Sequence, residues 1–528
     1  MVFAAVCLLA MLSPVSGDPL WVGTYDGPYD DDEVHAIGVD DSGNVVVSGR
    51  SGRSEDDDEF VTIKYHPDGD TVWLRRFNPG AGLDGATALA VDRSGNVVVT
   101  GYLGGPTSQY GDWVTIRYTA AGESLWATVH DEGDEDRASS VVVDSAGSSY
   151  VTGRAGWPND LDYVVVKYGL NGSAVWIFRF NSGYNDGANA VALDKQGYAY
   201  VTGYTSSGGK DFALLTWKLG LGGDSVWANL YTGPAGCDMQ GLAVAADGQG
   251  NAVVAGRSYD TLTLSDYLTV KYGPRGDTLW TRRYNGPGNR SDEVAGLAVD
   301  GAGNVYVTGT SDVDAQGHYN YATVKYSPEG EQRWVARYVG PEGWDQAYAI
   351  ALDADASVYV TGKSVDSTGG SDAVTVKYDS AGNQRWVERY DRPSTFDEGC
   401  VIALSQQGDV FVGGRTDDDS TGIDYLTLAY AAVSAVAEKQ KVEVRTPNAG
   451  PTIVRGVLWL GTDLGHDPNR QTIRSCPASL LDAAGRKVIG LHVGANDISH
   501  LAPGVYFMWE QSKLNHHAQS VRTVVLIK

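Results

Sequence analysis

The sequence predicts an all-β chain: an eight-bladed β-propeller of four-stranded blades, closed by an N-terminal strand, plus a small C-terminal β-sandwich. Three observations lead there. A glycine recurs at Gly49, Gly101, Gly153, Gly203, Gly256, Gly309, Gly362 and Gly414, and a tryptophan at Trp21, Trp73, Trp126, Trp176, Trp227, Trp280, Trp334 and Trp386. Both series step by 50 to 54 residues, and a fixed period of that length marks a solenoid, a propeller or an array. Each period holds four short runs rich in Val, Ile, Tyr, Thr and Trp, bounded by Gly, Asp, Asn and Pro, with no helical period between them; that is strand chemistry. The ends also match. The eighth unit, Asp397 to Tyr430, lacks its Trp run, and Leu20–Tyr25 is a Trp run without a unit. Joining the two would remove a pair of open sheet edges, which invite aggregation.

Met1–Gly17 precedes the array. Its apolar stretch Val2–Leu12, with Val15 and Gly17 at −3 and −1 of a cut before Asp18, reads as a secretory signal peptide, although it lacks a basic n-region. Residues 18–434 form the propeller. In the unit from Asp292 to Tyr338 the four runs, strands A to D, are Val294–Val299, Asn304–Gly309, Tyr321–Tyr326 and Trp334–Tyr338. Strand A is rich in small residues (Ala36, Ala88, Ala90, Ala190, Ala192, Ala298, Ala349, Ala351) and strand D carries the tryptophan. Small residues inside and large ones outside is the gradient a radial stack of sheets requires. Strands B and C are apolar on both sides, as in Val45-Val46-Val47 and Val164-Val165-Val166. They therefore need cover on both faces, which neighbouring blades supply. Turns of the type Asp40-Asp41-Ser42-Gly43-Asn44 join A to B.

The motif Asp-x-Ala-x-Ala-Ile-Ala-x-Asp-x-x-Gly-Asn-Val-Tyr-Val-Thr-Gly followed by Thr-Val-Lys-Tyr resembles the bacterial β-propeller repeat family, over roughly residues 20–430. The resemblance implies a propeller usually described as seven-bladed; eight copies depart from that description. A fainter similarity is to quinoprotein propellers, in which Gly-x-x-x-Trp motifs dock neighbouring blades, but no quinone-site constellation is present.

The A–B and C–D turns fall on one face of such a ring, and the B–C and D–A connections on the other. The second set is longer and acidic, including Asp30–Glu33, Glu55–Glu59, Asp131–Asp136 and Asp417–Asp419. Loops on a rigid scaffold are where ligands bind. One acidic position repeats ahead of strand A, at Asp32, Asp84, Asp136, Asp186, Asp292, Asp345 and Asp397, with Asp238 one place out of register. A second opens strand C, at Glu59, Asp112, Asp162, Asp211, Asp266, Asp372 and Asp424, with Asn320 as the exception. Such carboxylates either accept backbone N–H bonds and fix the loops, or form a negative ring at the channel mouth that attracts cations; the first set is the candidate binding ring. Asp312-x-Asp314-x-Gln316-Gly317 and Asp417-x-Asp419-x-Thr421-Gly422 resemble half an EF-hand loop without its closing Glu. They make calcium the one cofactor to consider, at Asp312, Asp314, Asp417 and Asp419; otherwise none is expected.

Catalytic signatures are absent. His35, His130, Trp157 and Trp344 lie near the acidic face, where the tryptophans could stack on a sugar or cover loop backbone. After the signal, Cys237, Cys400 and Cys476 remain, in different units and without metal-ligand spacing. A net charge of −26 argues against nucleic acid or an anionic membrane as partner, and no later stretch is long enough to span a bilayer. Glycan, cation or protein ligands are compatible with a monomer of this kind.

Past Tyr430 the period stops. Residues 435–528 contain short strands separated by turn signals, as in a small sandwich. Thr446-Pro447-Asn448, Leu481–Val488, Asn496–Ile498, Leu501–Phe507 and Val524–Lys528 resemble the C-terminal sorting domain of the bacterial type IX secretion system, with the opening Asn-Pro order reversed. That resemblance implies the type IX machinery as a partner and delivery to the medium or the outer cell surface. The expected function is then an exported, non-catalytic binding or scaffold propeller. The alternative is a surface hydrolase or lyase with its site at the channel mouth on the acidic face.

Overall fold

The computed structural model describes residues 19–431, except 30, 55, 81, 105–110, 207–211, 234–236, 261–263, 315–316, 393–395 and 419–421; beyond 431 it describes strand backbones alone. The described residues contain no helix. They form eight four-stranded antiparallel sheets, and in seven of these the strands run A-B-C-D in sequence order. The eighth has the order Trp21–Tyr25, Gly422–Tyr430, Val410–Asp418, Asp397–Leu404. Trp21 pairs with Ala429 and Tyr25 with Tyr425, so the N-terminal strand supplies strand D of blade 8 and closes the ring.

Consecutive A strands contact one another all the way round, from Asp32–Val39 of blade 1 to Asp397–Leu404 of blade 8 and back. They are therefore the innermost strands, and their small residues allow that approach. Every A strand carries a β-bulge against its B strand, at Val34/Ala36 in blade 1 and Ala347/Ala349 in blade 7, for example. The bulged residue turns its side chain to the next blade. His35 meets the Ala86 carbonyl at 2.8 Å, Thr87 donates to Ala138 O at 2.8 Å, and Asn189 to Gly241 O at 2.8 Å. A bulge re-aims a side chain in this way without ending the sheet.

The apolar cores lie between blades. Val34, Val45, Val47, Val61 and Ile63 of blade 1, for instance, pack with Phe411, Tyr425 and Ala429 of blade 8. Seven of the D-strand tryptophans, Trp21 to Trp334, reach forward as well. Trp21, Trp73 and Trp126 donate from the indole to Pro67 O (2.9 Å), Ala120 O (3.0 Å) and Leu170 O (2.9 Å) in the next blade's C–D turn. The ring then lies against the glycine of that turn. A Cβ on Gly122, which sits at φ +83°, would be 2.7 Å from Trp73. On the same side of the ring the repeat's Lys meets the A–B turn: Lys64 pairs with Asp40 at 2.8 Å, and Lys271 with Asp247 at 2.9 Å. Asp40 at the same time accepts Ser42 N and Asn44 N, both at 2.9 Å.

A second compact unit, Val433–Lys528, is separate from the first, which ends at Ala432. It contains a five-stranded sheet in the order Thr452–Val454, Gln519–Leu526, Gly504–Gln511, Ala478–Leu481, Lys487–Leu491, and a two-stranded sheet of Val457–Leu460 with Gly494–Asp497. The signal peptide expected at 1–17 lies outside the described residues.

Candidate functional site

The seven carboxylates ahead of strand A are interior. Asp32, Asp186, Asp292, Asp345 and Asp397 are fully buried, Asp136 is 1% exposed and Asp84 is 2% exposed. They accept backbone N–H groups of the loops: Gly104 N on Asp84 (2.9 Å), Gly156 N on Asp136 (2.9 Å), Ser182 N on Asp186 (2.6 Å), Gly286 N on Asp292 (2.6 Å), Gly340 N on Asp345 (2.6 Å) and Arg392 N on Asp397 (2.9 Å). Asp32 takes Gly27 N in the same way. These carboxylates lie inside the blade junctions and hold the D–A and B–C loops in place.

Their chemistry follows from burial beside like charge. Burial, and after it the charge of Asp424, raises the Asp32 carboxyl to about 6. Burial with Asp57 and Asp58 raises Asp84 to about 7, and burial with Asp112 and Asp131 raises Asp136 to about 7. At the junction of blades 6 and 7 the strand-C position is Asn320. With its amide turned to satisfy both atoms, it donates to Asp345 at 3.3 Å and to Tyr319 O at 3.0 Å.

Among the described residues, three groups of carboxylates bring ligand atoms within 4.8 Å of one another: Asp26/Asp32/Asp424, Asp112/Asp131/Asp136 and Asp366/Asp372/Asp391. Asp312, Asp314 and Asp417 belong to none of them. Asp312 is 3.6 Å from Arg290, and Asp314 bonds His318 Nδ1 at 2.7 Å inside the B–C hairpin of blade 6. Asp419 lies outside the described residues.

One cluster of unlike residues spans three blades. Around the inner wall of blades 7, 8 and 1, Lys363 pairs with Glu398 at 2.7 Å, Arg415 with Glu398 at 2.9 Å, and Arg415 again with Glu33 across the seam. Glu33 also takes Arg50 Nε at 3.4 Å and His35 Nε2 at 3.1 Å, while Arg50 reaches Asp31 at 3.0 Å and Asp58 at 3.6 Å. This is a continuous ladder of alternating charge across three blades. It borders a cavity of about 350 Å³ lined by Glu33, Val34, His35, Tyr348, Glu398, Cys400 and Arg415. Arg415 also borders a neighbouring cavity of about 240 Å³, with Phe396, Asp417 and Ile423.

Three groups lining the cavity are held far from neutrality, whereas burial raises the Asp58 carboxyl, at the end of the ladder beside Arg50, to about 6. Despite burial, the His35 hydrogen bond and the charges of Arg50 and Arg415 hold Glu33 down at about 2. Burial and the Glu398 charge push the Cys400 thiol up to about 12, and the same two causes raise the Tyr348 phenol above its ordinary value. Tyr348 meanwhile donates to Gln346 Oε1 at 2.8 Å.

Exposed aromatics lie in the D–A loops of the same three blades: Lys363 sits 5.7 Å from the Phe396 ring, while Trp344 makes T-shaped contacts with His318 and Tyr319 of blade 6. Trp344 and Phe396 immediately precede the strand-A Asp of blades 7 and 8, and Tyr29 sits in the same loop of blade 1; all three are large exposed side chains. The backbone beneath them is held from both sides. Trp344 O accepts Val365 N at 3.2 Å and Phe396 O accepts Asp417 N at 2.8 Å, while Trp344 and Phe396 bridge to Tyr319 and Ser371 at the start of the preceding blade's strand C. Sequence reasoning had placed His35 and Trp344 on this face. It missed the ladder, whose signal is the residue after each B-strand glycine: Arg50, Tyr102, Arg154, Tyr204, Arg257, Thr310, Lys363 and Arg415. This position varies where its neighbours repeat.

Comparison with known proteins agrees with the repeat reading. The family described as beta-propeller repeat matches residues 279–314. Regulatory protein FlaEY of Caulobacter vibrioides is 28% identical over 133 residues, which is 22% of this chain and 14% of that protein. The uncharacterized WD repeat-containing protein L264 of Acanthamoeba polyphaga mimivirus is 27% identical over 107 residues, 17% of this chain and 8% of that protein. The matches thus span about a seventh or less of these relatives. Among solved structures, the polysaccharide lyase Uly1 aligns over 77% of this chain and 91% of its own, at 13% identity and a TM-score of 0.44. A PL25 ulvan lyase aligns over 71% and 97%, at 12% identity and a TM-score of 0.42.

Proposed function

We propose that this chain is an exported, non-catalytic binding propeller whose ligand site is the loop face of blades 7, 8 and 1. One observation carries the reading. Around a ring of near-copies, this sector joins exposed aromatics, a ladder of alternating charge that spans three blades and a cavity of about 350 Å³. Concave sites with a few convergent polar groups are where ligands sit on rigid folds.

A second reading, a hydrolase or lyase at the same mouth, draws on the carboxylates, His35 and Tyr348 that line that cavity. The electrostatics of three groups that line the cavity favour binding over catalysis there. General acid–base work needs a group that titrates near the working pH. Here the His35 hydrogen bond and the guanidinium partners pin Glu33 as the anion, while the Cys400 thiol and the Tyr348 phenol are held protonated. Incubating the protein with a panel of polysaccharides tests the choice: no new reducing ends and no unsaturated uronate absorbance should appear. Turnover abolished by Tyr348→Phe would overturn the non-catalytic reading.

Export rests on the signal-like Met1–Gly17 and the sorting-domain resemblance of residues 435–528. Fusing residues 435–528 to a reporter in a type IX-competent bacterium should carry the reporter to the surface or medium, and a reporter retained in the periplasm would sink that part.

A further inference from the structure

Resting on the site reading above, we infer that the ligand is an uncharged linear polysaccharide laid across the D–A loops of blades 7, 8 and 1. Three consecutive blades each present an exposed aromatic in the D–A loop and a cation just after the B-strand glycine: Trp344 with Lys363, Phe396 with Arg415, and Tyr29 with Arg50. No other blade has both. Blades 3 and 5 carry Arg154 and Arg257 without an aromatic in that loop, and blade 4 has Tyr184 with Tyr204 in the cation's place.

Sorting the exposed apolar side chains shows the same bias. Among the described residues, every large exposed aromatic (Tyr29, Trp157, Tyr184, Tyr259, Trp344 and Phe396) lies on the B–C and D–A face, whereas exposed aliphatics such as Val72, Leu125 and Val175 lie on strand D. Aromatic rings with fixed backbones offer flat, electron-rich faces to the polarised C–H bonds of a sugar ring. Their order costs little on binding, because the Trp344 and Phe396 carbonyls are already bonded to strand B.

The charges decide the class of chain. Three cations of the ladder stand against four carboxylates, Glu33, Glu398, Asp31 and Asp58, on a molecule of net charge −26. That arrangement offers no net attraction to a polyanion, which needs uncompensated Lys and Arg. It offers alternating donors and acceptors, which is what vicinal hydroxyls bind. The side chain of Arg415 is about a third exposed while that of Glu398 is almost covered, so this donor projects over its acceptor, whereas at Arg50 the acceptor Asp31 projects further than the donor.

The test is isothermal titration of the full chain with neutral hexasaccharides of glucose, xylose and mannose, a uronate hexasaccharide, and a basic peptide, at 50 and 500 mM NaCl. At least one neutral hexasaccharide should bind, with less than twofold change across that salt range. Trp344→Ala and Phe396→Ala should each weaken it tenfold or more, and Trp157→Ala, in blade 3, should leave it unchanged. Salt-sensitive binding of only the uronate or the peptide, still lost in Trp344→Ala, overturns the neutral-glycan inference while the binding sector stands. Binding unaffected by both aromatic variants, or no binding to any probe, overturns the site reading as well. Melting temperatures within 2 °C of the parent qualify the variants, and Trp344→Phe should recover most of the affinity lost in Trp344→Ala.

Discussion

Asp32 and Asp345 occupy the same place in their blades, but one faces Asp424 and the other Asn320. The difference sets a pH dependence. A carboxyl raised on folding keeps its proton where the unfolded chain has lost it. Its penalty therefore grows as pH rises from about 4, the unfolded value, through about 6 for Asp32 and about 7 for Asp84 and Asp136, and is constant above that. Glu33 has the opposite sign: its contribution is complete above about 4.5 and is lost as pH falls toward about 2. Asp424→Asn copies the blade 6–7 junction into the seam. It should stabilise by about 1 kcal/mol at pH 8 and by nothing at pH 4, and equal shifts in melting temperature at both values would refute the account. Gly122 makes a second prediction at this scale. Gly122→Ala would force a left-handed residue and push a methyl to 2.7 Å from Trp73, so a loss of about 2–3 kcal/mol is expected in chemical denaturation. The same substitution at Gly80, whose Cβ would meet nothing within 4 Å, should cost under about 1 kcal/mol.

Strands and turns were the most legible level of the sequence, because their causes are local. The Asp-x-x-Gly-Asn turns, the doubly apolar B and C runs and the unpaired Leu20–Tyr25 strand all follow from alternation, turn chemistry and counting, and the N-terminal strand completes the last blade as expected. The bulge in strand A was not legible. Nothing in Glu33-Val34-His35-Ala36 distinguishes a bulged residue from a paired one, since the bulge is fixed by contact with the next blade. The ladder of Glu33, Arg415, Glu398 and Lys363 was hidden for a related reason: its members come from three blades and meet only when the ring closes. The burial of the repeated Asp residues likewise depends on the neighbouring blade. Closure itself is testable at the level of this element. Deleting residues 18–26 uncovers an edge of Gly422–Tyr430 and removes the Trp21 bond to Pro67 O. The truncated chain should aggregate at micromolar concentration, and equal solubility and melting temperature would argue that the strand is dispensable.

In the whole molecule, blade 8 is where the ring should open first. Seven blades take all four strands from one continuous stretch, and each of their C–D turns places a glycine under the previous blade's tryptophan. Blade 8 borrows strand D from some 400 residues away. The chain also puts Ser434 where the other units have that turn glycine. Releasing Trp21–Tyr25 recovers the entropy of a very long closed loop, whereas releasing any other D strand recovers only a hairpin. The ladder between Glu33, Arg415 and Glu398 opposes that release, because separating blades 8 and 1 would strand partly buried carboxylates without their guanidinium partners. Hydrogen exchange under native conditions should therefore find the amides of Trp21–Tyr25 and Gly422–Tyr430 exchanging through a sub-global opening, ahead of the equivalent strands of blades 3 to 6. Arg415→Met should widen the gap by lowering the free energy of that opening while leaving exchange in blades 3 to 6 unchanged. Uniform protection around the ring in both proteins would mean that closure by a separate strand is as strong as covalent continuity.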